Sequence, residues 1–111
     1  MNRLLAVARA AEYFDSGGFL ADLARRVAFR TEVGVPERAP DVLSYLEQEM
    51  VPAARRLGAT ATILDNPDPG GGPLLVAHRH EDAGLPTVLT YGHADVVPAQ
   101  ARDWRAGLDP W

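Results

Sequence analysis

Thr87-Val88-Leu89-Thr90-Tyr91-Gly92-His93-Ala94-Asp95-Val96-Val97-Pro98 is the stretch on which the reading of this chain turns. An apolar, β-branched run leads into a His-x-Asp triplet, and a proline closes it. Apolar on both faces, residues Thr87 to Gly92 read as a central strand. A strand that ends in a histidine and a carboxylate delivers both to the rim of a sheet. Neutral imidazole is the commonest protein ligand for a divalent metal. Its second ring nitrogen usually donates to a carboxylate, which fixes the tautomer. His93 is therefore the candidate ligand and Asp95 its orienting partner. Taken alone, the triplet reads as a polar strand end with a satisfied histidine, because such triplets are common by chance.

The elements before the triplet set its context. Leu4, Val7, Ala8, Ala11 and Phe14 recur at three and four residues and predict a first helix. Asp15-Ser16-Gly17-Gly18 ends it, and Leu20, Leu23, Ala24 and Val27 mark a second, with Arg25, Arg26 and Arg30 towards solvent. Val33 to Pro36 is a break. Pro40 suits the first turn of a third helix, whose apolar face carries Leu43, Leu46, Met50, Ala54 and Leu57. Pro52 should kink that helix between Gln48 and Val51, and Gly58 should stop it. The period then changes. Ala59 to Leu64 and Leu74 to His80 read as strands, separated by a Pro/Gly-rich loop over 65–73 and succeeded by a turn over 81–86.

Bulk composition narrows the function classes. The chain has 111 residues, 47% hydrophobic and 23% charged, with a formal net charge of −4. That is at most one domain. No basic stripe with interleaved aromatics appears, so nucleic acid is not expected as a partner. Cysteine is absent, so any metal must be held by His, Asp or Glu. No apolar stretch reaches membrane-spanning length. The N-terminal run, interrupted by Arg9 and Glu12, is too short for a signal segment. A soluble, cytoplasmic protein is the expectation.

With its flanks, the triplet becomes specific. Apolar strand, Gly92-His93-Ala94-Asp95-Val96-Val97-Pro98, Trp104 and Asp109-Pro110-Trp111 together resemble the first metal-site motif of the co-catalytic zinc exopeptidases and deacylases. That family includes carboxypeptidase G, carnosinase-type dipeptidases, acetylornithine deacetylase and succinyl-diaminopimelate desuccinylase. The N-terminal helices, Leu57-Gly58-Ala59 and the hairpin after them also fit the family's start. The resemblance implies an α/β fold, a partial three-layer sandwich of a catalytic domain spanning 1–111. It implies two zinc ions, with cobalt or manganese as substitutes, and a peptide or N-acyl amino acid substrate. It also implies a homodimer formed through a further domain.

Carried over by residue, His93 matches the first zinc ligand and Asp95 the carboxylate that orients it. The family's bridging aspartate lies in a Gly-Arg-Gly-x-x-Asp segment, and its general-base glutamate lies beside a ligand glutamate; neither segment occurs in this sequence. The chain is therefore expected to be an N-terminal piece of a metal-dependent amide-bond hydrolase, inactive alone. The alternatives are a non-catalytic interaction module or one half of a split enzyme. Asp41, Glu47 and Glu49 read as solvated helix positions. His78 and His80 form a His-x-His pair on a strand face, with exposure the preferred reading and metal the lesser one. Tyr91, Trp104 and Trp111 read as packing residues, and Asp109-Pro110 as a turn.

Overall fold

The computed structural model describes residues 2–111. Its first helix, α1, spans Arg3–Asp15 and is capped by the Asn2 side chain, which accepts a hydrogen bond from the Leu4 amide at 3.0 Å. After Ser16 and Gly17 the chain enters α2, Gly18–Val27. The turn is tight because position 18 lacks a side chain: a Cβ there would sit 2.7 Å from the Tyr13 ring. Phe19 packs edge-on against Tyr13 and tilted against Phe14. Neither helix buries a residue, and Leu4, Phe14 and Leu20 are each about two-thirds exposed or more. The apolar stripes that define these helices in the sequence are thus left open to solvent.

The third predicted helix is interrupted where Pro52 requires it. Helix α3, Ala39–Tyr45, runs through a π turn at Leu46–Met50 into α4, Val51–Arg56. Pro52 has no N–H to return to the preceding turn. The ladder widens ahead of it, and the Val51 amide bonds back to the Leu46 carbonyl. The widened turn brings both Leu46 and Glu49 to the buried side. Gly58, at φ +79°, then ends α4 in the left-handed conformation typical of a helix stop.

Strands β1, Thr60–Leu64, and β2, Leu74–His78, pair antiparallel, with Thr60 opposite His78 and Leu64 opposite Leu74. Strand β2 stops two residues short of the expected His80. The connecting loop is tied by its own side chains: Asn66 Nδ2 donates to the Gly72 carbonyl, and Asn66 Oδ1 accepts from the Asp68 amide. The architecture is mixed helix and strand, with a two-stranded sheet.

Residues 87–92 correct the expectation of a central strand. Among the described residues, none of their backbone groups takes part in a ladder, and Val88, Leu89 and Tyr91 are 81%, 94% and 93% exposed. Tyr91 is accordingly no packing residue in this chain. A strand apolar on both faces needs two paired edges and two covered faces, and one hairpin with one interrupted helix supplies too little of either. The segment beyond Asp95 is joined instead to the Thr31–Val33 segment, by a parallel bridge between Glu32 and Val96 and by the Glu32 side chain at the Ala99 amide.

The core is correspondingly small. Leu46 and Val51 are its buried apolar residues. The molecule exposes 9180 Å², against about 6,000 Å² for a compact monomer of its mass. Its radius of gyration is 17.2 Å, against about 13 Å for a compact domain of this length. No helix among the described residues is long and apolar enough to cross a membrane.

Candidate functional site

His93 and Asp95 lie beside an open cleft of about 860 Å³, bounded by the Glu32–Pro36 segment, Tyr45 and Leu46, and the loop between β1 and β2. His93 Nδ1 lies 2.8 Å from the backbone oxygen of Asp95. A carbonyl oxygen only accepts, so Nδ1 carries a proton and donates it. The His93 side chain is 70% exposed. The Asp95 carboxylate stands farther off, its Oδ1 3.6 Å from Nδ1, beyond hydrogen-bond length. The two residues are together as expected, but the main chain of Asp95 rather than its carboxylate holds the imidazole.

These residues do not make a zinc site by themselves. Zinc normally takes three or four protein ligands. Among the described residues, no three His, Asp or Glu side chains cluster closely enough to hold a metal. Asp41 pairs with Arg38 at 3.6 Å. His78 and His80 stack nearly parallel, with ring centroids 6.4 Å apart. They face exposed surface beside the Arg79–Glu81 ion pair. Asp109-Pro110 does form a turn, in which Asp109 Oδ1 accepts from the Trp111 amide.

Two acidic residues hold positions that the sequence did not reveal. Glu49 is buried, 7% exposed, instead of lying on a solvated face. Its carboxylate accepts from Arg25 Nε at 2.6 Å and faces Arg26 Nε at 3.7 Å. Arg25 also donates to Asp22, which in turn accepts from the Tyr13 hydroxyl. Arg25 and Arg26 are therefore paired rather than simply solvated, and they fasten α2 to the π turn. The Arg25 hydrogen bond holds the Glu49 carboxyl below its ordinary range. Hydrogen bonds from Tyr13, then Arg25, do the same for Asp22, and the bond to Asp22 raises the Tyr13 hydroxyl.

Glu32 is the second. Its side chain is 11% exposed. Oε1 accepts from the Ala99 amide at 2.8 Å, and Oε2 lies 3.5 Å from Arg38 Nε. On either side, the Val33 amide donates to the Val96 carbonyl and the Val96 amide donates to the Thr31 carbonyl. The Trp104 indole donates to the Ala99 carbonyl at 2.8 Å. The sequence signal for Glu32 was a single carboxylate between Thr31 and Val33, which names no partner.

Comparison with protein-family models, with curated proteins and with solved structures gives no match for this chain.

Proposed function

We propose that this chain is the N-terminal part of a metal-dependent amide-bond hydrolase of the co-catalytic zinc exopeptidase and deacylase kind, inactive alone. The observation that carries the reading is His93. It comes directly after an apolar segment, its Nδ1 donates to the Asp95 carbonyl, and its side chain lines the open cleft with 70% of its surface exposed. That is how a protein presents an imidazole for ligation. In this reading His93 is one ligand and Asp95 its orienting residue, and the other ligands and the base come from outside these residues. The substrate class is a peptide or N-acyl amino acid.

The exposed surface supports the same reading. Residues 87–92 have the composition of a central strand and lack any ladder, and the chain exposes far more surface than a compact monomer. In the complete protein Thr87 to Gly92 would be an inner strand of a three-layer sandwich. The same exposure favours, as a second reading, one half of a split enzyme whose other half is a separate chain.

Sequencing the coding region past codon 111 tests the proposal. An in-frame Gly-Arg-Gly-x-x-Asp segment and, after it, a Glu-Glu pair are expected. A stop codon with the same segments in a separate reading frame would favour the split enzyme. A stop codon with no such segments elsewhere in the genome would refute both.

A further inference from the structure

We infer that Glu32 is a positioning residue that clips the loop carrying His93 and Asp95 to the Thr31–Val33 segment. This rests on the reading of His93 as a ligand only for its purpose; the clip itself is a matter of contacts. Residues 87–92 have no ladder, so no sheet holds the histidine from its N-terminal side. On its C-terminal side, two main-chain bonds join Val96 to Thr31 and Val33. The backbone of Ala99 is then held on both sides, its N–H donating to Glu32 and its carbonyl accepting from the Trp104 indole.

Glu32 is suited to this. Its carboxylate is largely screened from water, so the bond to Ala99 is not readily exchanged for a solvent one, and a charged acceptor strengthens it. Arg38 lies beside the second oxygen and offsets the charge. The contact spans 67 residues. It couples the region between α2 and α3 directly to the loop that begins at His93. The bond from His93 Nδ1 to the Asp95 carbonyl requires that the peptide after Asp95 keep its orientation, and Val96 is where the clip holds that peptide.

The test compares the full chain with Glu32→Ala and Glu32→Gln by NMR, without metal or substrate. The readouts are amide exchange at Val96 and Ala99 and the ring-nitrogen shifts of His93, which report which nitrogen carries the proton. Glu32→Ala is expected to speed Ala99 exchange about tenfold and to move His93 away from the Nδ1–H form, with β1 and β2 amides unchanged. Glu32→Gln keeps an acceptor oxygen and should restore both readouts. Unchanged Ala99 exchange and an unchanged His93 tautomer in Glu32→Ala would overturn the inference. So would loss of protection spread equally through β1 and β2, or failure of Glu32→Gln to rescue. Because no metal is present, these outcomes are independent of whether the hydrolase reading holds.

Discussion

Leu89→Lys is the substitution that most sharply separates a self-sufficient domain from a chain awaiting cover. Leu89 is 94% exposed, with Val88 and Tyr91 close behind. In the chain as it stands, the side chain touches almost nothing, so lysine there should leave unfolding free energy within about 0.5 kcal/mol of wild type. Association is another matter. The 9180 Å² exposed exceeds that of a compact monomer by more surface than a standard interface of about 1,600 Å² buries. Burying Leu89 against another surface contributes about 2 kcal/mol. Its loss raises a dissociation constant roughly 30-fold, before any cost of desolvating the ammonium. Sedimentation velocity over a range of concentrations, with small-angle scattering alongside, reads both quantities. Wild type should self-associate in a concentration-dependent way, and the variant should do so much less. A wild-type chain that stays a 12.0 kDa monomer at every concentration, with a radius of gyration of about 13 Å, would refute the reasoning. So would a variant that associates as readily as wild type.

The helical part supports two further predictions. Leu46, 4% exposed on the π turn, should cost about 2 kcal/mol on replacement by alanine in chemical denaturation; a loss below about 0.5 kcal/mol would mean that this core holds nothing. The folded-state pKa of Glu49 lies below its ordinary value of 4.5, chiefly through Arg25. Its contribution is thus complete above that value and lost as pH falls through the depressed one, so stability should decline on the acid side and the decline should shrink in Glu49→Gln. An identical acid limb in wild type and variant would contradict this.

The features legible in the sequence are the local ones. Apolar spacing and caps placed α1 and α2, and Pro52 placed the interruption between α3 and α4. Gly58 and the change of period located β1. Asp109-Pro110 announced its own turn. The partners that matter for the site are remote in sequence. Glu49 reaches back to Arg25 across 24 positions, and Glu32 forward to Ala99 across 67. A carboxylate on a helix or in a break reads as solvated unless its cation or amide is known, and periodicity carries no such information. The strand expected at Thr87 to Gly92 shows the converse. Its composition expresses a preference for burial on both faces, and composition alone cannot supply the edges that would satisfy it. His93 and Asp95 were singled out by the residues that flank them, Gly92 and Val96-Val97-Pro98 above all, and not by their spacing; the bond between them runs to the main chain.

Zinc binding tests the central claim most directly, that this chain holds one corner of a metal site and no more. Dialysed protein should carry no stoichiometric zinc, and added zinc should bind weakly, perturbing the His93 ring in the NMR spectrum and leaving His78 and His80 little changed. The weak response at His93 should vanish in His93→Ala. Tight, stoichiometric zinc that survives dialysis and is lost on His93→Ala would contradict the account, because it would require ligands that the chain has not been shown to bring together.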